Sequence, residues 1–313
     1  MIPAEGGLGK SGHPRQRVVG IFDEIVSGIT LECPVGVSRQ EAVVAYLNEA
    51  EHRPAPKPRL AATVMLVRDP LATSQRGVGG TRPPLEVFVM KRARSMDFAP
   101  EVVAFPGGGV TEEDCACDVP WVGPSPAEWA DRMGCDEEQA RGVVVAAIRE
   151  LFEECGVLLA GADGESLVRP ERKIWSEQRK KLISHEVSLA SVLRGWGLAL
   201  RSDCLFVRSH WVTPPFERRR YDTYFFTALV PEGQRPDGDT TEASAVGWAD
   251  PGVVLDRFKR GDVSLVPPTI ANLAALSRAG SAGEVLGQIA PHRIMLEPVY
   301  GKDHRIVLRC ELA

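Results

Sequence analysis

The chain has no apolar run approaching the roughly 18 residues that a membrane-spanning helix needs, and Met1 to Arg17 is rich in Gly and Pro without a hydrophobic signal core. These absences predict a cytoplasmic protein with no membrane partner. A basic field is missing too: the net charge is −5, and the one compact cationic run, Arg218-Arg219-Arg220, is too short to form a nucleic-acid stripe. No nucleic-acid partner is expected. The histidines, at 13, 52, 185, 210, 292 and 304, follow no ligand pattern, and no local motif supports a Ser-His-Asp or Cys-His nucleophile. Seven cysteines, scattered at 33, 115, 117, 135, 155, 204 and 310, argue against the paired framework of a secreted disulfide protein, so reduced thiols are expected. Cys115, Cys117 and Cys135 cluster but lack a regularly spaced fourth ligand for zinc.

What remains is the composition of a soluble enzyme, 44% hydrophobic and 25% charged over 313 residues, enough for one large domain or a domain with an appendage. Within it stands Arg149-Glu150-Leu151-Phe152-Glu153-Glu154-Cys155-Gly156-Val157. At about 100° per residue, Glu150, Glu153 and Glu154 share one arc of a helix. Val144, Ile148, Leu151, Phe152 and Cys155 form an apolar stripe roughly opposite. Carboxylates this close repel unless solvent or a cation relieves them. Their oxygens suit a hard divalent ion, Mg with Mn as the alternative, because such ions are commonly shared between carboxylates and substrate phosphates. Arg149 stands i, i+4 from Glu153 and can fix its rotamer. A solvated acidic face is the other reading of the same pattern.

This string resembles the Nudix box, whose core reads Arg-Glu-aliphatic-x-Glu-Glu-x-Gly-aliphatic, and every specified position is filled. Upstream, Phe105-Pro106-Gly107-Gly108-Gly109 is similar to the family's strand-to-loop entry, where glycines let the backbone approach a phosphate. In the usual box the second glycine of the Pro-Gly-Gly step precedes the arginine by about 14 residues. Here the interval is 149 − 108 = 41. About 27 residues are therefore inserted. The insertion is read as Val110 to Cys135, an ordered loop with Trp121 and Trp129 as anchors and a short helix near Ala127 to Met133. Asp136 with Gln139 then reads as an N-cap and Gly156 as the helix stop. The glutamate that the family carries about eight residues before the arginine is replaced by Arg141, with only Glu137 and Glu138 nearby. A long insertion inside the box is similar to the branch of vertebrate peroxisomal coenzyme A diphosphatases and their actinobacterial relatives. Val87 to Arg94 leading into Phe98-Ala99-Pro100, and Trp211-Val212-Thr213-Pro214 followed by Arg219 to Phe226, resemble that branch as well.

Apolar and alternating patterns predict strands at Leu60 to Val67, Leu85 to Lys91, Val102 to Phe105, Val157 to Ala160, Cys204 to Trp211, Tyr221 to Val230 and Ala243 to Trp248, with a Gly/Pro loop at 76 to 84. Helices are expected within Glu171 to Leu193, Asp250 to Lys259 and Thr269 to Arg278. Helices between strands imply an α/β fold, an α/β/α sandwich. The resemblance implies the same sandwich, Nudix-type with a mixed central sheet. Residues 1–57 read as an N-terminal extension with a helix at Arg39 to Ala50 and a Pro-rich linker from Pro54 to Pro58. Residues 58–313 read as the domain itself, with the insertion at about 110–135 and a C-terminal helical region. A terminal hairpin of His292 to Pro298 with His304 to Glu311, across Gly301-Lys302-Asp303, closes it.

The resemblance implies that Glu150, Glu153 and Glu154 hold one to three Mg ions and that Arg149 supports them. The general base comes from the box or from a later loop, where Glu242 is the candidate, its plain alternative being a solvent-exposed acid. Arg92, Arg94, Gly107, Gly108, Gly109, Arg218, Arg219 and Arg220 are candidate substrate contacts. The expected activity is hydrolysis of the diphosphate in a nucleoside diphosphate linked to another group, coenzyme A or acyl-coenzyme A favoured. Alternatives are ADP-ribose, NADH or FAD, an oxidised nucleoside triphosphate, or a nucleotide sensor without turnover. The partner is a small nucleotide, and a homodimer is compatible with the reading.

Overall fold

Along the strand Arg59–Arg68, Ala62, Val64 and Leu66 pack into one hydrophobic cluster and Met65 and Val67 into another, all five buried. A strand buried on both faces must sit between two layers. The computed structural model describes residues 30–35, 37–49, 55–71, 83–94, 101–169, 172–240, 242–301 and 305–312. Met1 to Arg17, most of the 76–84 loop, Phe98-Ala99-Pro100, Pro54 of the linker and Lys302-Asp303 lie outside them.

The strands, in chain order, are β1 (Thr30–Pro34), β2 (Arg59–Arg68), β3 (Glu86–Arg92), β4 (Val103–Ala104), β5 (Gly107–Gly109), β6 (Trp121–Val122) and β7 (Ala160–Gly161). They continue as β8 (Ala199–Arg201), β9 (Phe206–Val212), β10 (Tyr221–Leu229), β11 (Ala243–Ala249), β12 (Arg293–Met295), β13 (Glu297–Tyr300) and β14 (Ile306–Glu311). The helices are α1 (Val37–Glu49), α2 (Glu112–Cys115), α3 (Pro126–Met133), α4 (Glu137–Cys155), α5 (Arg172–Ile183), α6 (Leu189–Gly195), α7 (Pro251–Lys259) and α8 (Pro267–Leu276).

The main sheet runs β11-β3-β2-β10-β9-β12, with β4 on β3 and β5 on β2. It is mixed: β10 is parallel to β2 and β12 to β9, while the other pairs are antiparallel. Helix α4 covers one face, packing Val144, Ile148 and Leu151 with Phe88 and Phe226. Helices α7 and α8 cover the other, where Val254, Ile270 and Leu273 meet Val87 and Val89. The expected α/β/α sandwich is what forms.

Four local features differ from the sequence reading. Gly107 to Gly109 is a strand rather than a loop, pairing with Thr63, Ala62 and Ala61. Of the run Val157 to Ala160 only the last residue joins a strand, because the Gln234 side chain takes the place of a neighbouring strand at Leu158. Its amide accepts from Leu158 N at 2.8 Å and donates to Leu158 O at 2.9 Å. The terminal hairpin is β13 with β14, while Arg293–Met295 leaves for the main sheet beside β9. Strand β1, read as part of the extension, pairs with β14 from Thr30↔Glu311 to Pro34↔Val307.

The inserted segment is packed into the fold. Ser125 closes a capping box with Glu128 at the start of α3, and Trp129, fully buried, meets Phe226 edge-on at 5.9 Å. Burying a side chain of that size is worth about 3 kcal/mol, enough to hold the segment on the sheet. Among the described residues, no helix is long and apolar enough to cross a membrane.

Candidate active site

Helix α4 begins at Asp136, whose side chain accepts from Gln139 N, and ends at Gly156 in the left-handed region, φ 73°. Its last turn is held from outside: Arg179 Nε donates to Glu153 O at 2.9 Å, and Arg179 Nη1 pairs with Asp237 at 2.6 Å. A cation on the terminal carbonyls also suits the helix dipole. The acidic end of the helix is thereby fixed against strand β5.

The glycines of β5 meet the helix in succession. Gly107 N donates to Glu154 Oε2 at 2.6 Å, and Arg149 Nη2 donates to Gly109 O at 2.8 Å. Between them, a Cβ on Gly108 would strike the carboxylate of Glu150. A side chain there would displace that carboxylate.

Arg149 is the hub. Nε and Nη2 take both oxygens of Asp114 at 2.9 Å each, and Nη1 donates to Glu150 at 2.7 Å and to Glu153 at 3.2 Å. The expected pair with Glu153 is present, and Asp114 is the partner that the sequence reading missed. Asp114 is 3% exposed and sits in the capped turn α2, where it also closes a box with Thr111. The family spacing contains the signal: an acid about eight residues before the arginine, when the glycine is about 14 before it, lies about six beyond the glycine. Six beyond Gly108 is Asp114. Counting back from Arg149 across the insertion led instead to Arg141, which pairs with Glu137 at the surface.

Burial governs the acids. It pushes the Glu150 carboxyl up to about 7, with Glu153 adding to the rise and Arg149 opposing it. Burial raises Glu153 as well, against Arg149 and His185. Glu154, 3% exposed, is held well above the usual carboxylate range by burial and then by Glu150, despite the Gly107 amide. Arg149 is displaced upward: burial works against its charge, but Asp114, Glu150 and Glu153 outweigh that.

Glu242 lies just before β11, where its carbonyl accepts from Ala93 N at 2.8 Å. It lines the same cavity as Glu150 and Arg92, and its charge reaches both Glu150 and Glu154. Arg92 Nε is buried without a partner. The other arginines are elsewhere. Arg94 is 76% exposed and pairs with Glu101 at 3.0 Å. Arg220 is buried and donates to Thr213 O at 2.9 Å and Pro56 O at 2.7 Å, bracing backbone. Arg218 and Arg219 are exposed and do not line the cavity.

The cavity, about 420 Å³, opens beside the glycines and runs over the sheet face that carries Thr63, Thr223, Phe225 and Trp211, beneath the start of α8. Such a volume, mostly apolar with a few convergent polar groups, suits a small-molecule ligand. Among the described residues, no three His, Cys, Asp or Glu side chains are already gathered as a metal cage. The donor set nevertheless fits a hard cation. The hydrogen bonds that Gly107 and Arg149 make to Glu150, Glu153 and Glu154 each use a single carboxylate oxygen, and carboxyls raised by burial and by one another are the groups a divalent ion would relieve.

A model of the NUDT19 Nudix domain matches residues 131–276. A Caenorhabditis elegans protein named "Putative nudix hydrolase 7" is 29% identical over 193 residues, 61% of this chain and 56% of that protein. A Xenopus laevis protein named "Acyl-coenzyme A diphosphatase NUDT19" is 24% identical over 243 residues, 64% of this chain and 62% of that one. The chain thus spans less than two thirds of either relative. Among solved structures, a NUDIX hydrolase from Alicyclobacillus acidocaldarius is 28% identical with a TM-score of 0.59, over 75% of this chain and 97% of its own.

Proposed function

Because the chain belongs to the Nudix hydrolase family, we propose that it hydrolyses the diphosphate of a nucleoside diphosphate linked to a second group, coenzyme A or an acyl-coenzyme A being favoured. The observation that carries this reading is the packing of Glu154, Glu150 and Arg149 against Gly107 to Gly109 at the mouth of the cavity. The favoured substrate is supported by the name of the Xenopus laevis relative. Water is a poor nucleophile towards a charged diphosphate, so the site must neutralise phosphate oxygens and orient the attacking water. A bound divalent ion, Mg or Mn, would supply that neutralisation, held by Glu150, Glu153 and Glu154.

The chain's own groups supply the rest. Arg149, fixed by Asp114, holds the rotamers of Glu150 and Glu153. Arg92 faces the substrate phosphates from the cavity wall, and the strand of glycines allows those phosphates to approach the backbone. Glu242, beside Glu150 on the same wall, accepts the proton of the attacking water. The test is a panel of coenzyme A, ADP-ribose, NADH, FAD and nucleoside triphosphates with Mg, read by product mass. Release of a phosphopantetheine fragment supports the reading. AMP with a sugar phosphate, or a monophosphate with pyrophosphate, would replace it with another Nudix activity.

A further inference from the structure

The acids and the proton acceptor belong to different elements. Glu150, Glu153 and Glu154 ride on α4, whereas Glu242 ends the segment between β10 and β11 and is tied to β3 through Ala93. Groups that act on one water must be held in register across such a gap.

A tie between them runs behind the last turn of α4. Arg179 of α5, 5% exposed, donates from Nε to Glu153 O at 2.9 Å and from Nη1 to Asp237 at 2.6 Å. Asp237 N donates in turn to Cys155 O at 3.0 Å. Onward to Glu242 the segment is closed by short bonds of its own: Asp239 N to the Asp237 carboxylate at 3.0 Å, Thr240 N to Gly238 O at 2.8 Å and Glu242 N to Thr240 Oγ1 at 3.2 Å. The glycine that ends α4 makes room for the tie, since a Cβ on Gly156 would stand 2.9 Å from Arg179 Nη1 and 3.4 Å from the Asp237 carboxylate. Any cation near the terminal carbonyls would suit the helix dipole. Only a guanidinium fork holds two acceptors at a fixed spacing.

We propose that Arg179 and Asp237 are positioning residues: together they set Glu242 against Glu150 and Glu154, so that the helix and the later loop act as one site. The inference rests on the reading of Glu242 as proton acceptor.

The test is a double-mutant cycle on the full chain, with Mg and whichever nucleotide of the panel above the wild type hydrolyses fastest. Arg179→Lys, which keeps the charge and loses the fork, and Asp237→Ala should each lower kcat by about 10²-fold, with KM and the Mg needed for half-maximal rate unchanged. Asp237 is 53% exposed, so its variant serves where Arg179→Lys does not fold. On a Glu242→Gln background neither change should cost more than about twofold further. In the metal-free protein, hydrogen exchange at Asp237, Asp239 and Glu242 should quicken in Arg179→Lys while Val143 to Leu151 of α4 keep their protection. Losses that add to that of Glu242→Gln, or an α4 that opens as well, would reduce Arg179 to a brace of the helix and overturn the inference while Glu242 stands. Wild-type turnover by Glu242→Gln overturns the reading of Glu242 and the inference with it.

Discussion

Replacing Glu154 by Gln should stabilise the metal-free protein and remove its activity. The side chain is 3% exposed and accepts a hydrogen bond from a neutral amide, Gly107 N, as a glutamine oxygen equally can. Burial and Glu150 hold its carboxyl well above the ordinary 4.5, and Arg92 offsets only part of that. Below about 4.5 the folded and unfolded chains both hold the proton, so wild type and variant should be equally stable. As pH rises towards the elevated native value, the native carboxyl keeps a proton that the unfolded one has lost, and wild-type stability falls. The variant lacks that slope. Removing such functional strain is worth about 1–2 kcal/mol, and each kcal/mol moves the melting temperature of a chain this large by about 2–4 °C. Melting curves in EDTA at about pH 5 and about pH 8 should show a gap opening only at the higher pH. Saturating Mg should close it by stabilising the wild type alone. A variant less stable than wild type at the higher pH, or a gap independent of pH, would refute the reasoning.

Asp114→Ala removes two charge-assisted bonds from the buried Arg149, which keeps Glu150, Glu153 and Gly109 O, and should cost about 1.5–3 kcal/mol, measured as a lower urea midpoint. A loss under about 1 kcal/mol would mean that Arg149 finds another partner. Gly108→Ala pushes a methyl group into Glu150. It should cost about 10²-fold in turnover, the effect of misplacing a catalytic group by an ångström, with an unchanged circular dichroism spectrum. Normal turnover would show that Glu150 is free to move.

The legible parts of the molecule were those with local causes. The cap at Asp136, the stop at Gly156 and the apolar period between them define α4 without reference to anything distant. Strands β2, β3, β9, β10 and β11 announced themselves by β-branched and apolar runs between turns. What escaped depended on distant partners. Asp114 reaches Arg149 across 35 positions. Leu158 is satisfied by Gln234, 76 positions away, so an apolar run that looks like a strand need not be one. Arg220 looked like a phosphate ligand because sequence shows its charge but not the carbonyls of Thr213 and Pro56 that occupy it.

The most direct test of the site is turnover of coenzyme A with Mg by wild type and Glu153→Gln, read by product mass. The proposed activity predicts a phosphopantetheine fragment and adenosine bisphosphate from the wild type, and a loss of at least about 10³-fold in the variant, which still melts cooperatively. Full activity in Glu153→Gln would contradict the assignment of the acidic helix as the reacting centre.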